Sequence, residues 1–273
     1  MSPLPWRFGA TTDRRLRTLA RALGPFSAEL GVEVSLCDPQ AGVDLGAQIE
    51  RRAAPRLADW ARRTRSPELE AFTRGWAGRG VLSGISRVFL EFDLPPRARR
   101  RPPAIFFTVE ELDRPDRVLR PLGELFELPA PQVMALERAA VAPGLRCLHL
   151  GFMLGRPGSP ARIAHSGPSA RLLPRRSAHR DLLRAFAGLG AGHLTRQQTI
   201  DHQGALSPRL DLELRGDPRR FLLFLQIFGG LGLLHPAPVE TVKRFPAQSL
   251  SHLKLSLEPE QAPRFKAYFA AAP

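Results

Sequence analysis

Residues 251–270 read SHLKLSLEPEQAPRFKAYFA. Two runs here alternate apolar with polar residues, and a short loop separates them, which predicts a β-hairpin. In the first run Leu253, Leu255 and Leu257 share one face, and His252, Lys254 and Ser256 the other. In the second, Phe265, Ala267 and Phe269 are apolar, while Arg264, Lys266 and Tyr268 lie together on the opposite face. The chain has 40 basic residues of which only three are lysines, and Lys254 and Lys266 both fall on these polar faces.

The same period-2 pattern recurs upstream. ISRVFLEFDL (85–94) and PAIFFTVEEL (103–112) read as paired strands, as do RCLHLGFML (146–154) and ARIAHSG (161–167). VEVSL (32–36), the polar stretch TRQQTIDHQ (195–203) and SPRLDLELRG (207–216) complete the strand candidates. Between them the period changes to that of a helix: 13–30 with Asp13 as N-cap, 44–77 as one long helix or two broken at Pro55 and Pro67, then 114–141 and 176–189. A further helix starts at Asp217, with Pro218 in its first turn. The chain therefore repeats helix, strand, strand. Strands joined by tight loops are antiparallel, since a parallel pair needs a crossover. The predicted fold is α+β: one domain over 1–273, an antiparallel β-barrel of about ten strands surrounded by helices, closure being the arrangement that removes exposed edges. An open antiparallel sheet with helices on one face is the alternative architecture.

In a closed barrel coated by helices, every polar strand face points into one lumen. Arg87, Phe89, Glu91 and Asp93 share such a face, as do Arg209, Asp211, Glu213 and Arg215. A lumen lined by Lys, Arg, Tyr, His and a few carboxylates is a binding cavity, and its cations suit a phosphorylated ligand. In an open sheet the same faces would simply meet water.

Composition narrows the classes further. The 273 residues carry a formal charge of +14, which suits nucleic acid, an anionic surface or an anionic small molecule. Cys37 and Cys147 are the only cysteines, so neither a zinc site nor a disulfide framework is expected. The N-terminal MSPLPWRFGATTDRR lacks a signal-peptide core, and the apolar run FLLFLQIFGGLGLL (221–234) is too short to span a bilayer. A soluble, cytoplasmic protein is expected. Phosphate-loop, HExxH, GxSxG and GxGxxG patterns are absent, and the seven histidines lack ligand spacing.

The repeated helix–strand–strand unit and the Arg-x-Lys-x-Tyr strand at Arg264, Lys266 and Tyr268 resemble the aromatic prenyltransferases of the αββα barrel type. The resemblance implies a transferase that moves an isoprenyl group from an allylic diphosphate to an aromatic or other nucleophilic acceptor, a small molecule or a peptide, in natural product biosynthesis. It assigns Arg162, Lys254, Arg264, Lys266 and Tyr268 to the diphosphate and Glu91 to the acceptor. It implies no cofactor and no active-site metal, consistent with the lack of a DDxxD motif. Two departures are visible: Ile105 and Phe106 stand where an arginine is expected, and Ala164 follows Arg162 where a Lys-x-Tyr pair is expected.

Two other functions fit the composition. One is a non-catalytic barrel that holds a hydrophobic or anionic ligand. The other is a basic binder of nucleic acid or anionic surfaces through RARRR (97–101) and RLLPRR (171–176). No aromatic residues interleave with these arginines, so nucleic acid is not the expected partner.

Overall fold

Ten strands close into an all-antiparallel barrel in which each strand pairs with its sequence neighbours and the last pairs with the first. The structure is a computed structural model, and it describes residue 8 and residues 10–94, 102–154, 156, 158, 160–174, 177–190 and 192–271. Five helix–hairpin units follow one another. α1 (Ala10–Leu23) precedes β1 (Glu29–Ser35) and β2 (Val43–Glu50). α2 (Ala54–Thr64) and α3 (Pro67–Ala77) precede β3 (Arg87–Leu94) and β4 (Ala104–Thr108). α4 (Leu119–Leu125) and α5 (Ala130–Ala140) precede β5 (Arg146–Phe152) and β6 (Ala161–Pro168). α6 (Ser169–Leu172) and α7 (Arg180–Leu189) precede β7 (His193–Ile200) and β8 (Leu210–Arg215). α8 (Pro218–Gly230) and α9 (Pro236–Val242) precede β9 (Leu250–Leu257) and β10 (Arg264–Ala271). The predicted α+β barrel is the fold observed.

The apolar strand faces point outward, under the helices. Phe224 and Phe228 of α8 meet Phe265 of β10 at ring-centroid distances of 5.4 and 4.8 Å, and Phe72 of α3 meets Phe107 of β4 at 4.9 Å. Trp60 of α2 lies edge-on to Phe92 of β3. These rings shield the outer surface of the sheet from water, which leaves the alternate residues for the lumen. α8 is started by the predicted cap: Asp217 Oδ1 accepts from the backbone N–H groups of Arg219 and Arg220 at 2.8 and 3.2 Å, and Pro218 occupies the first turn. No helix among the described residues is long and apolar enough to cross a membrane.

The predicted helix over 44–77 is wrong at its start. Residues 43–50, VDLGAQIE, form β2, paired in register with both β1 and β3. Val43, Leu45, Ala47 and Ile49 are buried, and the residues between them face the lumen side. Its apolar residues alternate strictly with Asp44, Gly46, Gln48 and Glu50, a strand period that the helical reading of 44–77 passed over, and both of its edges find partners in neighbouring strands. α1 also ends sooner than predicted, at Leu23, and Asp13 lies within its first turn, accepting from the Phe8 N–H at 2.8 Å.

The five hairpin loops lie at one end of the barrel; the helix-bearing connections leave from the other. This polarity divides the lumen.

Candidate active site in the barrel lumen

Toward the hairpin end lies a charged cavity of about 270 Å³, lined by Glu33, Asp44, Glu91, Asp93, Arg156, Arg162, Arg209, Lys254 and Lys266. Toward the helix end lies a more apolar cavity of about 170 Å³, whose walls include Phe89, Phe106, His149, His252, Tyr268 and the glycines 31 and 46. Glu33, Asp44 and Glu91 border both cavities. They come from three adjacent strands, and their carboxylate oxygens lie within 4.8 Å of one another.

Strand pairing explains the convergence. Lys266 of β10 sits beside Lys254 of β9 in register, and Glu33 pairs with both Tyr268 and Asp44. Two ammonium groups side by side repel, so each takes acidic neighbours. Lys266 is ion-paired to Glu33 and lies 3.5 Å from Asp44. Lys254, only 3% exposed, donates to Gln197 Oε1 at 2.9 Å and lies 3.7 Å from Glu213. Arg156 forks onto both oxygens of Asp93 at 2.8 and 3.0 Å, with Glu91 at 4.0 Å. Arg209 holds Asp211 at 2.9 Å and Glu258 at 3.4 Å. Arg162 differs: among the described residues it forms no ion pair within 4.0 Å, and its buried Nε has no hydrogen-bond partner.

Seven lumen carboxylates (Glu29, Glu33, Asp44, Glu91, Asp93, Asp211, Glu213) thus face five cations (Arg156, Arg162, Arg209, Lys254, Lys266). Burial, reinforced by Glu33, pushes Asp44 up to about 8, so one of the seven keeps its proton at neutral pH. Burial and Glu33 also raise Glu91, and burial raises Glu213. Burial alone would raise Glu33 as well, but Lys266 and Lys254 outweigh it and hold that carboxyl below its usual range. The same balance holds Asp211 at about 2, where Lys254, Arg209 and Arg162 prevail over burial. Burial brings His149 and His252 down to about 4, so both are neutral. His252 stacks on Tyr268 with ring centroids 3.7 Å apart and planes 21° from parallel.

The structure brings Lys254, Lys266 and Glu91 together as the strand faces predicted, and adds Arg162, which the family resemblance had pointed to. Tyr268 lines the apolar cavity instead of the charged one. Arg264 is exposed at the barrel's hairpin end, ion-paired to Glu258, and lines neither cavity. Phe106, at the position where an arginine is expected, is an aromatic wall of the apolar cavity, and its ring fills the space that a side chain on Gly151 would take. Three site residues escaped the sequence reading. Asp44 was hidden by the helical assignment of β2. Glu33 sat unremarked within VEVSL, whose alternation places it beside the lumen. Arg156 enters from the β5–β6 turn, where no strand period points it anywhere. RARRR (97–101) lies outside the described residues. Of RLLPRR, Arg171 donates to the Gly144 carbonyl and Leu172 is buried, while 175–176 lie outside the described residues.

The three carboxylates shared by the cavities have the spacing of a divalent-ion site, but Lys266 already supplies a cation to two of them.

No family model matches the chain, and no curated protein matches it in sequence. Its fold does have relatives among solved structures. 5-Dimethylallyltryptophan synthase from Streptomyces coelicolor superposes with a TM-score of 0.64 at 14% identity, covering 97% of this chain and 92% of that one. The apo prenyltransferase PriB gives a TM-score of 0.64 at 13% identity, with 96% and 90% covered. AnaPT from Neosartorya fischeri gives 0.60 at 14% identity, with 96% and 88% covered. Over nearly its whole length, the chain is built on the αββα barrel of the aromatic prenyltransferases.

Proposed function

We propose that this barrel transfers an isoprenyl group from an allylic diphosphate to an aromatic acceptor inside its lumen, without a metal, the chain acting as one domain. The observation that carries this reading is the division of a single lumen into a cation-bearing half and an aromatic-walled half that meet at Glu91. Two of the structural relatives support it by what they hold: the Streptomyces coelicolor synthase with DMASPP and Trp, and PriB with product diphosphate.

In this reading the diphosphate sits among Arg162, Lys254 and Lys266. These cations stabilise the charge that develops as the allylic C1–O bond breaks and its electron pair leaves with the diphosphate. Phe89, Phe106 and Tyr268 present ring faces to the allylic cation and keep water from it. The acceptor's π electrons form the new bond to C1, and Glu91, which borders both halves, takes the proton the acceptor loses. A carboxyl raised by burial and by Glu33 holds that proton more readily than a free glutamate.

One observation favours a second reading, ligand binding without turnover: most of the lumen cations are already neutralised by carboxylates. Titration with dimethylallyl and geranyl thiolodiphosphate, followed by assay of the true diphosphates with a panel of aromatic acceptors, separates the two. Chain-dependent binding with prenylated product is the expected result. Binding without product under every acceptor tried favours the second reading, and failure to bind either analogue overturns both.

A further inference from the structure

Gly46 of β2 has no structural reason to be glycine. Its backbone φ lies outside the left-handed region, and it sits within a strand, where glycine is less favourable than alanine. A Cβ at this position would meet only the Gly31 carbonyl oxygen, at 3.9 Å, an ordinary contact. Other lumen glycines are explained by their neighbours. At Gly31 a Cβ would press on the Phe269 carbonyl oxygen at 3.1 Å, and at Gly151 it would strike the Phe106 ring at 2.5 Å. Apart from that oxygen, no atom of the described residues lies within 4 Å of the space in front of Gly46.

Register gives this space a shape. Ala270 pairs with Gly31, Gly31 with Gly46, and Gly46 with Glu91. Ala270, Gly31 and Gly46 all line the apolar cavity. Across three adjacent strands the wall is therefore backbone and one methyl group, with the Glu91 carboxylate at the end of the row. Glycine inside a strand often marks the close approach of a ligand.

We infer that Gly46 is the specificity-determining position of the lumen: the flat ring of the acceptor lies against the Ala270–Gly31–Gly46 wall, with its N–H or O–H edge toward Glu91. This rests on the prenyl-transfer reading for the identity of the ligand as an acceptor, but the wall itself can be tested separately. A side chain at position 46 projects into the cavity where the ring would lie, and the diphosphate cations are in the other half.

The test uses the full chain and its Gly46→Ala and Gly46→Val variants, with indole and 2-naphthol as flat probes, cyclohexanol as a non-planar one, and dimethylallyl thiolodiphosphate. Valine suits a strand, so thermal unfolding is expected to stay at or above the wild-type temperature. Gly46→Val is expected to weaken both flat probes at least about tenfold, with Gly46→Ala between. Affinity for the thiolodiphosphate should stay within about twofold, and cyclohexanol should bind the wild type more weakly than the aromatics do. Unchanged aromatic affinity in folded Gly46→Val, equal binding of planar and non-planar probes, or no aromatic binding by the wild type would each overturn the inference. Aromatic binding that is sensitive to Gly46, without any thiolodiphosphate binding, would overturn the prenyl-transfer reading and leave the wall standing.

Discussion

Lys266 and Arg162 face the same cavity, yet their surroundings assign them different work. Lys266 is held by Glu33, a carboxylate only 5% exposed, and by Asp44. Removing it leaves a buried charge unpaired, which costs about 3–5 kcal/mol when a buried pair is broken. Among the described residues Arg162 has no such partner, so it can meet an anion without giving one up. Arg162→Ala is expected to weaken thiolodiphosphate binding about ten- to a hundredfold with little change in unfolding midpoint, whereas Lys266→Ala should lower the midpoint in denaturant titration. The reverse pattern would mean that Lys266 is the principal anion ligand. Asp44 makes its own prediction. Its carboxyl ionises near 8 in the barrel and near 4 in the unfolded chain. A raised carboxyl favours the folded state fully below the lower value, and that contribution disappears as pH rises through the higher one. Asp44→Asn should therefore become progressively more stable than wild type as pH is raised from about 4 to 8, measured by denaturant midpoints; a constant difference would refute the raised pKa. At this scale the sequence disclosed Glu91, Lys254 and Lys266 because each sits in a clean alternation. It could not disclose that Lys266 is occupied by Glu33, since that pairing is made between strands at opposite ends of the chain.

Among the elements, β10 carries the most. Its lumen face supplies Lys266 and Tyr268, and its outer face supplies Phe265 and Phe269 to the helices. Phe265 is fully buried against Phe186, Phe224 and Phe228. Phe265→Ala is expected to destabilise the barrel by about 3–5 kcal/mol, the usual cost of deleting a buried phenyl ring. A loss under about 1 kcal/mol in chemical denaturation would mean that α7 and α8 do not seal this strand. Most elements were legible because the two faces of a strand differ so strongly here, as in RVFLEFDL. β2 was not. VDLGAQIE alternates too, but Gly46 and Ala47 soften the contrast between its faces, and the helical run that follows from residue 54 absorbed it. The hydrogen-bonding edges of β1 and β3 decide the matter, and those edges exist only once the barrel forms.

For the molecule as a whole, charge is partitioned. The chain carries +14, but the lumen is close to neutral, so the surplus of arginine lies elsewhere. A high pI therefore says little about the interior. Exposed charges are screened by salt and buried ones much less so. Raising salt is expected to abolish any binding of a short single-stranded oligonucleotide while reducing thiolodiphosphate affinity by less than about tenfold. An equally steep fall for both, measured by fluorescence titration, would place the anion on the outer arginines and remove the lumen from the functional account.

Alternation and turn chemistry, written residue by residue, were enough to read paired antiparallel strands and to place Lys254, Lys266 and Glu91 on their polar faces, but they left a closed barrel and an open sheet both standing. Alternation and turns are local properties: a period of two and a tight loop act over a few residues whatever the rest of the chain does. Which cation is left free, which carboxyl keeps its proton and which glycine leaves room for a ligand depended on closure. Closure brings β1 against β10, joining residues more than 200 positions apart, and burial in that shared lumen sets their charges.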